Sequence, residues 1–214
     1  MAELTPEILK GLKKNGATDP TEYYRHPLVG HLFRERINVG LRLLGSARYG
    51  RALEVGYSAG AVLLTLSPVV DELHGLDLDA SPEPVNEMLA SSGFSAKLVQ
   101  GNVYQLPYPD GMFDLVVSFS VFEHLHEFKR GLSEVARVLR PGGTFLLGMP
   151  TVNRLMELAF RALGVKSIED HHVTTPQAVA AEFGTFGFRA RRYETLDFPV
   201  KGVRLYHAYC LTKE

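Results

Sequence analysis

A chain of 214 residues with 45% hydrophobic content is long enough to bury the core of one globular domain, and 23 basic against 24 acidic residues leave a formal charge of -1, which supplies no electrostatic footprint for nucleic acid. Its single cysteine, Cys210, excludes an internal disulfide and a cysteine-based zinc site and fits a reducing cytoplasm. The opening MAELTPEILKGLKKNG lacks the apolar core of a signal peptide, and no run of about 18 apolar residues is present to span a bilayer, so a soluble, cytoplasmic protein is expected.

Residues 1 to about 46 read as helices, with Tyr23-Tyr24-Arg25-His26-Pro27 marking a break between them. Short apolar, β-branched runs then alternate with longer amphipathic stretches, the rhythm of parallel βαβ units. Strands are expected over Arg51 to Val55, Glu72 to Asp77, Ala96 to Gln100, Phe113 to Phe119 and Thr144 to Met149. Helices are expected over Gly60 to Leu66, Pro82 to Ser91 and Phe128 to Leu139, the last carrying Leu132, Val135, Ala136 and Leu139 on one stripe. Pro141-Gly142-Gly143 should stop that helix and turn the chain into the next strand. From Pro150 to about Phe186, two helical stretches are joined by Glu169 to Pro176, where Thr175 can cap the helix after Pro176. Arg189 to Leu196 and Val203 to Thr212 read as a closing pair of strands. The expected organisation is a helical cap (1–46), an α/β core (47–150), a helical insertion (151–186) and a strand pair completing the sheet (187–214).

The loop Gly56-Tyr57-Ser58-Ala59-Gly60 follows a strand and opens a helix, so its backbone N–H groups stand at a positive helix end suited to an anion. Three chemistries use that setting. A dinucleotide fingerprint asks for G-x-G-x-x-G/A, but Ser58 occupies the position of the glycine that admits a pyrophosphate. A nucleophile elbow, G-x-S-x-G, matches literally and would make Ser58 a catalytic serine, with Asp114 and His171 following in the right order. Only one strand precedes it, however, and residues 1 to 50 hold no oxyanion loop of HGGG type. The third reading uses residues the others leave idle: Glu54, just before Gly56, and Asp77, which ends the second strand and can accept both hydroxyls of a ribose. Asp77 can equally open a turn with Asp79 and Ser81.

Four blocks in order, Leu53-Glu54-Val55-Gly56-Tyr57-Ser58-Ala59-Gly60, Gly75-Leu76-Asp77, the run from Gly101-Asn102-Val103 through Leu106-Pro107-Tyr108-Pro109-Asp110-Gly111-Met112-Phe113-Asp114 to Ser118, and Glu134 to Gly143, resemble the class I S-adenosylmethionine-dependent methyltransferases. The likeness is to the small-molecule group related to ubiquinone and menaquinone methyltransferases, and it covers about residues 50 to 150. Ser58 stands where the family has the middle glycine of G-x-G-x-G, and Asn102 where it has the aspartate of G-D-A. The resemblance implies a Rossmann-like three-layer α/β sandwich with a seven-stranded, mostly parallel sheet whose last strand is antiparallel. It implies S-adenosylmethionine held by Glu54, Gly56, Tyr57, Ser58 and Gly60, by Asp77 at the ribose, by Leu78 beside it, by Asn102 and Val103 at the adenine, and by Ser118 and Phe119 at the methionine end. An Asn102 carbonyl can accept from the adenine amino group, without charge assistance.

Methyl transfer from a sulfonium is an in-line displacement of an already activated group, so alignment and exclusion of water are the enzyme's main tasks. His124 is a candidate base for an acceptor that must lose a proton; the alternative is that it packs or caps at the start of a helix. His172, beside His171, precedes the insertion's helix and either reaches the acceptor or faces solvent, while His126 is expected to be exposed. Glu123, His124 and the 171–172 pair raise a shared divalent metal, as in some quinone-precursor O-methyltransferases, but sequence neighbours rarely converge on one ion and none is expected. Tyr23 and Tyr24 close over substrate or pack the cap, and Tyr57 sits beside the sulfonium or faces solvent. The expected partner is a small-molecule acceptor and the expected assembly a monomer or homodimer. A cofactor-binding protein without catalysis is kept open by Ser58 and Asn102.

Overall fold

The computed structural model describes residues 3–16, 19–27, 29–151, 172–197 and 204–214. One sheet of seven strands has the order β3-β2-β1-β4-β5-β7-β6, built from β1 (Tyr49–Val55), β2 (Val70–Asp77), β3 (Lys97–Gln100), β4 (Phe113–Phe119), β5 (Leu139–Pro150), β6 (Phe188–Asp197) and β7 (Arg204–Lys213). The first five strands pair in parallel, and β7 runs antiparallel to both β5 and β6. The seven-stranded, mostly parallel sheet with an antiparallel last strand expected from the sequence is the one the chain forms. Six α-helices are described: α1 (Thr21–Arg25), α2 (Gly30–Arg42), α3 (Ala61–Leu66), α4 (Pro82–Ser91), α5 (Phe128–Val138) and α6 (Pro176–Ala181).

Central strands covered on both faces explain their unbroken apolar runs. On one face Ala52, Leu115, Val117 and Leu146 pack with Phe33 and Ile37 of α2, Leu63 of α3 and Leu89 of α4; on the other Leu53, Val55, Val116 and Leu147 pack with Leu132 and Val135 of α5 and Val179 of α6. Residues alternate between the faces with the strand period of two. Phe33, Ile37 and Leu41 are all buried, and at ~1.5–3 kcal/mol for each buried side chain they make α2 part of the core and not a loose cap. No described helix is long and apolar enough to cross a membrane.

Three sequence expectations shift. Tyr23 to Arg25 lie inside α1, and the break falls after it, around His26 and Pro27; most of the described chain before Thr21 is irregular apart from a 3-10 turn at Ile8–Gly11. Helix α5 ends at Val138, so Leu139 to Gly143 already belong to β5. The register jumps from Phe113 opposite Leu139 to Leu115 opposite Thr144, which makes Pro141-Gly142-Gly143 a bulge within the strand and not a turn before it. The first helix expected in the insertion falls outside the described residues, whereas Thr175 caps α6 as expected, its hydroxyl accepting from the Ala178 amide at 3.2 Å.

Candidate functional site

β1 lies between β2 and β4 with Val55 opposite Leu76 on one side and Ser118 on the other, so the carboxyl ends of three parallel strands finish level. Open α/β sheets bind ligands at such strand ends. Gly56 carries the chain out of β1 with φ +84, and a Cβ there would meet Val121 Cγ2 at 2.3 Å; turn conformation and packing both demand glycine. Ser58 also has a positive φ, +49, so the position where a third glycine was expected has the backbone geometry that glycine would adopt.

Asp77 closes this loop from the neighbouring strand. Its Oδ2 accepts the Ser58 amide at 2.8 Å, and its Oδ1 accepts the amides of Asp79 and Ala80, each at 2.9 Å. The carboxylate thus makes the local turn at Asp79 and Ala80 and braces the loop at Ser58 as well. The Gly56 amide donates to Leu76 O and the Gly60 amide to Tyr57 O, both at 2.7 Å, so the anion cradle expected at residues 56–60 is already partly filled from within the fold. Tyr57 does not face solvent. It is fully buried, its hydroxyl donates to Ala80 O at 2.9 Å, and only its backbone is left for a cofactor.

Glu54 is buried, and its Oε2 has no hydrogen-bond partner among the described residues. Burial, reinforced by the nearby Asp77 carboxylate, pushes its pKa well up, with the Leu63 backbone amide opposing. An enclosed carboxyl short of partners is a fitting receiver for a cationic amino group. Ser118 Oγ is likewise enclosed and unpartnered among the described residues. The Phe119 ring wedges between Gly40 and Gly148, where added Cβ atoms would lie 2.4 and 2.3 Å from it. On the β2–β3 side Leu78 is 59% exposed, an apolar side chain standing open beside Asp77. Asn102 Oδ1 accepts the Tyr104 amide at 2.9 Å, using one of the carbonyl's two lone pairs, and Val103 is buried.

Beyond β4 the chain passes Ser120, at φ +57 with its hydroxyl 3.1 Å from Tyr206 OH, into a 3-10 turn at Phe122–His124. Glu123 O accepts the amides of Val173 and Thr174 at 2.8 and 3.1 Å, and Thr174 Oγ1 donates to Leu125 O at 2.9 Å. These bonds dock the end of the insertion against the turn and bring the His172 ring to 4.9 Å from that of His124. One ligand atom each from Glu123, His124 and His172 lies within 4.8 Å of the others, so the expectation that these residues do not converge is corrected by the fold. Burial pushes the Glu123 carboxyl up to about 8 against the opposing pull of its own backbone amide, Arg36 and Ser120. His124 and His126 are exposed, and His171 lies outside the described residues.

The serine-hydrolase reading has no support in this geometry. Ser58 Oγ is enclosed with no partner among the described residues, and Asp114 sits at the other end of the sheet, held by Arg140 and the Arg51 amide. Sequence reasoning missed Asn15, whose side-chain amide donates to Ser58 O at 3.0 Å and Ser81 O at 2.8 Å and accepts from the Ser81 amide at 3.0 Å. It thereby straps the N-terminal segment over the loop and the start of α4. No local pattern announces a contact whose partners lie 43 and 66 residues away.

Residues 53–147 match the family model of a methyltransferase domain. An uncharacterised methyltransferase, YcgJ, of Bacillus subtilis is 38% identical over 45% of this chain and 39% of its own length, and a demethylmenaquinone methyltransferase of Bacillus licheniformis is 28% identical over 48% and 46%. The chain spans less than half the length of the curated relatives it matches. Among solved structures, the N-methyltransferase NodS of Bradyrhizobium japonicum in complex with S-adenosyl-L-homocysteine superposes with a TM-score of 0.65 at 16% identity, over 97% of this chain and 95% of that one, a likeness of fold. Residues 53–147 are thus similar to the methyltransferase domain and to S-adenosylmethionine-dependent methyltransferases.

Proposed function

We propose that this chain transfers the methyl group of S-adenosylmethionine to a small-molecule acceptor. The observation that carries the reading is the pair of carboxyls, Glu54 and Asp77, at adjacent strand ends around the Gly56 turn, one buried and short of partners, the other already bracing the loop. Glu54 then receives the cofactor's amino group, Asp77 its ribose hydroxyls, Leu78 and the Asn102-Val103 backbone its adenine, and Ser118 with the Phe119 backbone its methionine end. The bound cofactor supplies a methyl group activated by its sulfonium for in-line transfer. The chain's own task is to align the acceptor and exclude water. His124 and His172, facing each other past β4, take the proton from an acceptor that must lose one. A cytoplasmic location accords with a lone, buried cysteine, and a monomer or homodimer is the assembly proposed.

Calorimetric titration with S-adenosylmethionine and with S-adenosylhomocysteine tests the reading. Binding at roughly micromolar concentration is expected, and absence of heat with both ligands overturns it. Turnover of any acceptor then removes the alternative of a cofactor-binding protein without catalysis. A second reading is favoured by the 4.8 Å grouping of Glu123, His124 and His172, which suits a divalent cation as well as a shared proton. Chelation leaves turnover unchanged if the histidines act alone and abolishes it if a cation is required.

A further inference from the structure

The N-terminal cap brings one cation to the acceptor side of the sheet. Arg36 lies on α2 one turn before Gly40, the residue against which the Phe119 ring packs, so its side chain shares the helix face turned toward the ends of β4 and β5. Its guanidinium carbon stands 4.6 Å from the centre of the Phe33 ring and 5.9 Å from the centres of Tyr24 and Tyr206. Its charge favours the ionised forms of Tyr24, Glu123 and Tyr206, so it lies within electrostatic reach of all three. Tyr206 in turn meets the Ser120 hydroxyl at 3.1 Å, which joins this aromatic cradle to the strand end where the methyl group is delivered.

What sets Arg36 apart is that its neighbour in hydrogen-bonding reach is the Tyr24 side chain and not a carboxylate. Among the described residues it enters no ion pair, and its Nε, closed off from solvent, has no hydrogen-bond acceptor. Arg42 and Arg137, by contrast, are held by carboxylates. Ring faces favour the flat, weakly hydrated guanidinium and leave its Nε without an acceptor. A structural arginine at this depth would be bonded. The guanidinium fork matches a planar carboxylate in a bidentate pair, while a doubly charged phosphate calls for more than the one cation that the described residues place here.

Building on the methyltransferase reading, we propose that Arg36 is the specificity determinant of the acceptor site and selects a small molecule bearing a carboxylate, which it clamps while Tyr24, Phe33 and Tyr206 enclose the acceptor's apolar part.

The test uses full-length protein saturated with S-adenosylhomocysteine, titrated with benzoate, phenylacetate and hexanoate, each against its primary amide. At least one carboxylate should bind at least tenfold more tightly than its amide. Arg36→Gln should remove that preference, and Arg36→Lys should keep part of it, while S-adenosylhomocysteine affinity stays within about twofold in both. If the Gln variant no longer binds S-adenosylhomocysteine, Arg36→Met, which keeps an apolar stem between the rings, takes its place. A wild-type protein that prefers none of the three carboxylates over its amide, or variants that keep the full preference, overturn the proposal while leaving cofactor binding intact. Failure of the wild type to bind S-adenosylhomocysteine overturns the methyltransferase reading instead, and this inference with it.

Discussion

Asp77 commits three acceptor positions to backbone amides before any ligand arrives, which ties the loop at Ser58 and the turn at Asp79 and Ala80 to one carboxylate. Hydrogen bonds to a charged group are worth ~1.5–3 kcal/mol each, and water reclaims part of that in a half-exposed site. Asp77→Ala should therefore lower unfolding free energy by about 2 kcal/mol in denaturant titrations and weaken S-adenosylhomocysteine binding at least tenfold. Unchanged ligand affinity would leave Asp77 as a brace and nothing more. Glu54 makes the opposite prediction about pH. Its folded-state pKa is raised above the unfolded value near 4.5, so its contribution to stability is fully present below that value and is lost as pH rises through the folded pKa. The unliganded protein should lose stability as pH rises above 4.5, and Glu54→Gln should flatten that part of the profile. A cationic amino group seated against Glu54 favours its ionised form, so S-adenosylmethionine binding should release protons. Calorimetry in buffers of different ionisation enthalpy reads that release, and Glu54→Gln should abolish it.

At the level of elements, β1 and β4 were legible because strands covered on both faces need unbroken apolar runs, and α4 because Pro82 opens an amphipathic stretch. Pro141-Gly142-Gly143 misled, since proline and glycine punctuate bulges as readily as turns, and only pairing with β4 decides between them. Glu54, Gly56 and Asp77 were singled out through spacing along consecutive strands, and the fold sets them at adjacent strand ends. The solvent-facing alternative for Tyr57 fails because an x position in a motif says nothing about which way a side chain turns, and here the ring packs inward against Gly75 of β2. Asn15, Arg36 and the approach of His172 to His124 depend on segments far apart in sequence, and no local periodicity encodes them. Asn15→Ala removes three hydrogen bonds around a buried amide and should cost about 1–3 kcal/mol of stability. Thr175→Ala, at the more exposed α6 cap, should cost ~0.5–2 kcal/mol and leave cofactor affinity unchanged.

Across the whole molecule, the sheet divides the labour about β4. On the proposed function, cofactor recognition falls to the ends of β1, β2, β3 and β4, and acceptor recognition to the far side of β4 with β5 and β7. On that proposal the described N-terminal segment serves both sides, since Asn15 straps the loop at Ser58 while α2 carries Arg36 over the Phe33 ring. Leu4, Leu9 and Leu12 are buried beneath the strap, and Leu4 is pinned to α2 through the Asn38 side chain, whose oxygen accepts its amide at 2.7 Å. Cofactor binding at the loop should therefore stabilise the strap as well as its own contacts. Any segment whose opening exposes the site must be paid for out of binding energy, so ligand slows exchange wherever local opening and binding exclude one another. Amide hydrogen exchange with saturating S-adenosylhomocysteine should show added protection both at residues 56–60 and in the described part of the strap, with the strap's gain lost in Asn15→Ala. Protection confined to the loop would show that the strap opens independently of the cofactor and that the cap's two contacts are energetically separate.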